Sequence, residues 1–358
     1  MPNKRPTRED VAREAGTSVA VVTYTVNNGP RPVAPHTRAR VLAAIKKLGY
    51  QPNRAARALA MGKTGTYGLI LPNITNPFIS EIAHAVQARV HHEGYTLLLG
   101  DSADDPARER RFLEQFFAHQ VDGIFYMGTT EKLAFDLLSH SPVRVVVFED
   151  SRLDGRFPSV QIDEALAVQQ LTEHLQEHGH EHIAMMTGPD GIWNSHLRLR
   201  GWCQATGYDA DSALVTWQAY SRFAGYQWLM DAHERGALPT ALITGNERQA
   251  VGVLAACADL GMRVPEDMAI VAVNGSSHSG FTVPSLTSIR QPLDAMANQA
   301  FALLHDPDLA HDTQAHVFDF DIVTGQSCGC ISMDAPSRHA IASWRTHDSG
   351  RLDSVAGL

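Results

Sequence analysis

From residue 65 onward, short apolar runs alternate with helical segments, and this alternation limits the fold more than any other feature of the chain. YGLILP, TLLLGD, GIFYMG, VRVVVFED and SVQID read as strands, with helices expected at about 78–93 and 106–119. A second series follows: HIAMMTG, ALVTW, TALITGN and MAIVAVN as strands, with helices near 196–206, 222–235 and 247–260. SLTSIRQP, a helix at about 293–304 and a last strand, HVFDFDIV, complete it. Such βα repetition predicts parallel sheets covered by helices on both faces. Two units in succession predict two lobes, with a ligand cleft at the carboxyl ends of their strands. A chain of 358 residues is long enough for two or three domains.

Ahead of this body the chain changes character. Residues 1–63 hold 12 Lys/Arg and 3 Asp/Glu, a net of +9, whereas residues 64–358 hold 18 and 36, a net of −18. A basic head on an acidic body is the electrostatic footprint of a nucleic-acid-binding module joined to a second function. Charge alone equally describes a solvated basic terminus, so the local pattern must decide.

TREDVAREAG offers Thr7 as an N-cap with Asp10 three residues later, a capping box, and Gly16 to end the helix. Ser18 is a second N-cap, and VAVVTYTVN follows as another short helix with Val22 and Val26 inward. Ala12, Gly16 and Val22 occupy the places where two helices joined by a tight turn need a small residue, a glycine and an apolar residue. That is a helix-turn-helix pattern, whose second helix enters the major groove; the same spacing also fits an ordinary helical hairpin. Val19, Ala20, Thr23, Tyr24 and Asn27 would face outward. HTRARVLAAIKKLGY gives a third amphipathic helix with Val41, Leu42, Ile45 and Leu48 inward and Arg38, Arg40, Lys46 and Lys47 on its polar face.

The next stretch, PNRAARALA at 52–60, is helix-forming but only about 12–14 Å long as a helix, too short to persist alone in water. MGKTGTYG then leads directly into the first strand.

Residues 9–78, from EDVAREAGTSVAVVTYTVNNG through LGYQPNRAARALA to LPNITNPF, closely resemble the N-terminus of the lac/gal repressor family of bacterial transcription regulators. HLQEHGHEHIAMMTGP, HLRLRGW, PTALITGNERQAVGVL, LGMRVPEDMAIVAVN and PSLTSIRQP continue the likeness, which covers about residues 5–328. It implies a small all-α helix-turn-helix DNA-binding domain (1–50) and a hinge helix and linker (51–64). An α/β two-lobed, periplasmic-binding-protein-like core of Rossmann-like lobes with parallel sheets follows (65–330). Lobe one would be about 65–162 plus 291–324 and lobe two about 163–290, with a disordered tail at 331–358.

The resemblance also implies site residues. Contacts to double-stranded operator DNA would come from Thr7, Ser18, Val19, Ala20, Thr23, Tyr24, Asn27 and Thr37, and from Asn53, Arg57 and Leu59 of the hinge. Two hinge helices would fold together in the minor groove, with Leu59 wedged between base pairs. This chain has Thr23-Tyr24 where the family usually has Ser-Arg, so an arginine suited to bidentate guanine contact is absent and no known operator sequence transfers. The effector cleft would use Asn73, Asn76, Phe78, Glu149, Arg198, Tyr220, Asn246 and Asn274. Planar polar groups beside aromatic faces suit a small polar metabolite, a sugar above all. Asn274 stands where many members carry a hydroxyl-binding Asp.

No catalytic residue, metal or cofactor is expected. GSSHSG at 275–280 lacks the spacing of a serine-hydrolase elbow, and neither a phosphate loop nor a dinucleotide glycine fingerprint is present. His178, His180 and His182 in HGHEHI, and the pair Cys328 and Cys330, are each incomplete as metal sites when read alone. Without a signal peptide or a long apolar run, the expectation is a cytoplasmic protein with no membrane partner. The tail lacks the leucine heptads of a tetramerising coil, so a homodimer reading two half-sites is expected. The expected function is that of a ligand-responsive, sequence-specific transcription regulator, a repressor by expectation. The alternative is an α/β sugar-binding or sugar-modifying protein whose DNA-binding module is of secondary importance.

Overall fold

The computed structural model describes residues 6–27, 31–51, 62–128, 137–141, 143–148 and 156–331. The chain divides into two compact units at Gly65/Thr66.

The first unit is three helices: α1 (Arg8–Glu14), α2 (Val19–Asn27) and α3 (Pro35–Leu48). Thr7 and Asp10 form the reciprocal capping box of α1. Gly16 has φ +59°, a left-handed conformation that lets the chain double back between α1 and α2. α2 is rich in β-branched residues and a poor helix on propensity. It is held by Ser18, whose Oγ accepts from the Val21 amide at 3.3 Å, and by burial of Val22 against Val11, Ala12 and Val41. Leu42, expected inward, is half exposed; the inner face of α3 instead carries Val41, Ala44, Ile45 and Leu48. Leu42 follows Val41 by one residue, a turn of about 100° around the helix, and so leaves the stripe.

The second unit holds two six-stranded sheets. Sheet one runs β2 (Thr96–Asp101), β1 (Thr66–Leu71), β3 (Gly123–Tyr126), β4 (Arg144–Phe148), β5 (Ser159–Ile162) and β11 (Ala315–Phe318), all parallel. Sheet two repeats this order with β7 (Val215–Trp217), β6 (Ile183–Thr187), β8 (Ala241–Thr244), β9 (Ala269–Ala272), β10 (Thr287–Arg290) and β12 (Asp321–Val323), of which only β12 is antiparallel. Strands covered on both faces need apolar residues at every position, and β3, β6, β8 and β9 are buried throughout.

Helices α4 (Pro77–His92) and α10 (Leu293–His305) pack on one face of sheet one, and α5 (Pro106–Ala118) on the other. On sheet two, α6 (Glu164–Glu177) and α7 (Trp193–Thr206) share one face, with α8 (Arg222–Glu234) and α9 (Glu247–Leu260) opposite.

HVFDFDIV, expected as one strand of lobe one, is two. β11 closes sheet one, the chain crosses at Asp319–Phe320, and β12 pairs with β10 of sheet two. Residues 321–323 therefore belong to the second lobe. Three connections join the lobes: after β5, after β10 and between β11 and β12.

Candidate functional site

In the first unit, Ser18, Val19 and Ala20 are exposed at the start of α2, with Thr23 and Tyr24 half exposed one turn on. The amino-terminal half of a second helix is the part that reaches base edges in a helix-turn-helix protein. The Thr23 hydroxyl donates to the Val19 carbonyl at 2.9 Å, which leaves its oxygen as an acceptor toward a partner. Thr7 is exposed, but its hydroxyl and amide both engage Asp10; Thr37 is half-buried in the first turn of α3. Two of the expected polar-face cations serve the fold itself. Arg40 Nη2 donates to the Gly16 carbonyl at 2.9 Å, and Lys47 pairs with Glu14 at 2.6 Å. Asn27 ends α2, while Asn53, Arg57 and Leu59 lie outside the described residues.

In the second unit, a cavity of about 510 Å³ lies at the strand ends of both sheets. This is the topological switch point of a doubly wound sheet, where connections from adjacent strands diverge to opposite faces. Asn73, Asn76, Phe78, Arg198, Tyr220, Asn246 and Asn274 all line it; Glu149 lies outside the described residues.

Several of these side chains have a structural duty as well. Asn76 caps α4, accepting from the Phe78 amide, and Asn246 caps α9, accepting from the Gln249 amide at 2.9 Å. Both helix amino termini thus begin at the cavity wall, where their dipoles favour electron-rich groups. Asn73 donates to Asp104 at 3.1 Å. Asn274 has φ +54°, a left-handed conformation that Asn and Asp tolerate better than other side chains. Its Oδ1 accepts from Gln291 Nε2 at 2.7 Å, a bond to a residue just past a lobe connection.

Arg198 lines the cavity and is also held by the protein itself. Its Nε and Nη2 grip Glu164 at 2.8 and 3.0 Å, with both side chains buried, and its Nη1 donates to the Tyr220 hydroxyl and the Gly245 carbonyl. Its charge is neutralised by a residue that sequence reasoning missed. Tyr220 also shares a hydrogen bond with Ser195 at 3.1 Å, and its ring fills the space a side chain at Gly188 would need. The pair therefore fixes the wall that carries Tyr220.

Arg248 was also missed. It follows the α9 cap by two residues, lines the cavity, and its buried Nε has no hydrogen-bond partner among the described residues. Burial lowers its pKa, the nearby Arg222 lowers it further and Asp104 opposes this; an arginine remains charged regardless. Phe148 and Trp193 complete the aromatic lining. Phe148 ends β4, while Arg248 and Trp193 lie in the first turns of the helices that follow β8 and β6, so all three belong to the carboxyl-end side of their sheets.

GSSHSG has a structural use. Ser276 and Ser279 donate to the buried Glu247 at 2.7 and 2.6 Å, while the amide and hydroxyl of Ser277 donate to Glu81 of α4 at 2.9 and 2.7 Å. The last pair bridges the lobes. Glu81→Ala should therefore speed amide hydrogen exchange at Ser277 by about 10–100-fold, the equivalent of a charged hydrogen bond. Unchanged exchange would show that the bridge does not restrain the lobes.

Residues 7–53 match the family model of bacterial regulatory proteins of the lacI family, and residues 172–328 match that of the periplasmic binding protein-like domain. Catabolite control protein A of Priestia megaterium is 33% identical over 300 residues, spanning 82% of this chain and 90% of the relative. The chain belongs to the lacI family. It is accordingly a DNA-binding transcription regulator and not an enzyme. Among solved structures, the lac repressor dimer bound to operator and the anti-inducer ONPF has a TM-score of 0.81 at 23% identity, covering 91% of this chain and 99% of that one. That likeness concerns the fold. The transcriptional regulator CelR in complex with cellobiose has a TM-score of 0.67 at 25% identity, covering 90% and 100%. Among the described residues, no helix is long and apolar enough to cross a membrane.

Proposed function

We propose that this regulator is a repressor that binds a palindromic operator as a homodimer in the cytoplasm and responds to a small polar metabolite, a sugar above all. The observation that carries the effector half is the cavity, which sets amides and a guanidinium beside Phe78, Phe148, Trp193 and Tyr220. An aromatic wall packs against a sugar ring face while the amides bond paired hydroxyls. The complex of CelR with cellobiose supports a sugar, and the operator-bound lac repressor dimer supports the DNA-bound assembly. Exposed Phe281 and Val283 offer the second unit an apolar surface for self-association.

Asn73, Asn76, Asn246 and Asn274 would bond the hydroxyls, with Arg248 the cation that offers an open Nε to the ligand and Asp104, which accepts from Asn73, the carboxylate in the same wall. A ligand that bonds both lobes favours one lobe arrangement over the other, and this difference in affinity is the only source of control. The proposal extends to the hinge: Asn53, Arg57 and Leu59 would couple the core to DNA.

A thermal-shift screen of the full chain against neutral sugars, sugar phosphates, sugar acids, nucleobases and amino acids tests this. Ligand at 100 times its Kd should stabilise by about 2.7 kcal/mol. With Arg248 in the lining, an acidic sugar should bind more tightly than its neutral parent, and Arg248→Ala should remove roughly 10–100-fold of that advantage. A hit on a neutral sugar unaffected by Arg248→Ala would take Arg248 out of the site; hits confined to nucleobases or amino acids would overturn the sugar assignment.

A further inference from the structure

At the end of sheet two remote from the ligand cavity, two motifs that are incomplete when read separately meet. His174 and His178 lie four residues apart, on one face of the last turn of α6, with His178 as its C-cap. Cys328 and Cys330 belong to the segment that follows β12. One nitrogen or sulfur from each of the four lies within 4.8 Å of all the others. His174 Nε2 is 3.4 Å from Cys328 Sγ and 3.5 Å from Cys330 Sγ, and His178 Nε2 is 3.2 Å from Cys330 Sγ.

We infer that these four side chains form a tetrahedral metal site for a borderline-soft divalent cation, Zn²⁺ above all. Bonds of about 2.0–2.1 Å to imidazole nitrogen and about 2.3 Å to thiolate sulfur, at tetrahedral angles, place nitrogen and sulfur about 3.6 Å apart. The three separations above are close to that edge. A pair of isolated His–Cys hydrogen bonds would give no reason for one imidazole nitrogen to face both sulfurs.

The surroundings hold the site in shape. Gly329, between the cysteines, has φ +92°, which turns the chain so that both thiols reach the same side. The segment is tied down beneath them: Ser327 exchanges bonds with the Ile270 backbone and its amide donates to the Ser285 carbonyl, and the Gly325 amide donates to Thr287 Oγ1 at 2.7 Å. The Thr287 hydroxyl in turn donates to Cys328 Sγ at 2.9 Å, the outer-layer bond that steadies a thiolate ligand. The cation would also meet the negative end of the α6 dipole. With four protein ligands no position is left for a substrate, so the metal is structural. It clamps the segment after β12 onto α6, the helix whose first residue, Glu164, holds Arg198. His180, which bonds Thr240, and His182 are not members.

The test uses the untagged full-length protein, reduced and stripped by a chelator, then titrated with Co²⁺ and competed with Zn²⁺. Expected are one equivalent per chain, a sulfur-to-cobalt charge-transfer band with tetrahedral d–d absorption, and protection by Zn²⁺ of the exposed Cys330 thiol from alkylation in the folded protein, the half-buried Cys203 reacting as it does without metal. Cys330 and His178 are exposed, so Cys330→Ser and His178→Ala should fold and bind the metal more than about 100-fold more weakly, beyond the effect of losing an outer-layer partner. His180→Ala and His182→Ala should bind as the parent does. The inference falls if no charge-transfer band forms, or if the band survives in Cys330→Ser and His178→Ala. It falls equally if two thiols disappear without metal and return on reduction, which would make the cysteines a disulfide pair.

Discussion

Arg198→Ala is expected to destabilise the second unit by about 3–5 kcal/mol, because it leaves the Glu164 carboxylate buried without its partner. Both side chains are only 3% exposed, and the two-point grip at 2.8 and 3.0 Å leaves the carboxylate little access to water once the arginine is gone. Loss of the Arg198 bond to the Tyr220 hydroxyl would loosen the cavity wall as well. The double variant Arg198→Met with Glu164→Leu removes both charges and keeps the volume. It should lie much closer to the parent than the single variant, since replacing a buried pair by packed apolar residues is often nearly neutral. Urea unfolding of the full chain measures both. Equal losses in Arg198→Ala and the double variant would show that the unpaired Glu164 carboxylate is not what destabilises the single variant. The effector response of Arg198→Ala is meaningful only where that variant is folded.

Ala20→Glu should have a comparably large effect on a different property. Ala20 is exposed in the first turn of α2, a turn that contains no acidic residue. A carboxylate there interacts favourably with the helix dipole, so the melting temperature should be unchanged or slightly higher. On DNA the same carboxylate would face phosphates and base edges, at a cost of several kcal/mol, or about 100-fold or more in affinity. Fluorescence anisotropy with a selected operator, beside a melting curve, separates the two effects. Retained operator affinity would mean that the start of α2 does not enter the groove.

Much of the architecture was legible because it depends on local chemistry. Thr7 and Asp10 stand at capping-box spacing, Gly16 stands where a left-handed residue must, and strands such as IAMMT are apolar along their length. The cleft was legible for a related reason. Residues that follow a parallel strand must lie at its carboxyl end, so Asn73, Arg198, Asn246 and Asn274 come together once the strands are placed.

What sequence alone concealed depends on packing between distant segments. The Glu164–Arg198 pair exists because α6 and α7 cross closely, Gly201 facing the Ala165 carbonyl where a Cβ would come within 2.0 Å. Neither helix shows this by itself. HVFDFDIV reads as one strand because nothing in a hydrophobic pattern marks a change of sheet at Asp319–Phe320. The histidine run at 178–182 and the Cys328–Cys330 pair are each incomplete alone, because spacing along the chain says nothing about His174 and Cys328 meeting across 154 residues.

The most direct test is selection of binding sites by the full-length protein from a pool of random double-stranded DNA, repeated with a ligand found by thermal shift. An inverted repeat should be enriched, and the protein's affinity for it should change severalfold when the cavity is filled. Recovery of no sequence preference, or of a repeat whose affinity is indifferent to every ligand that stabilises the core, would contradict the account of a DNA-reading head governed by the cavity.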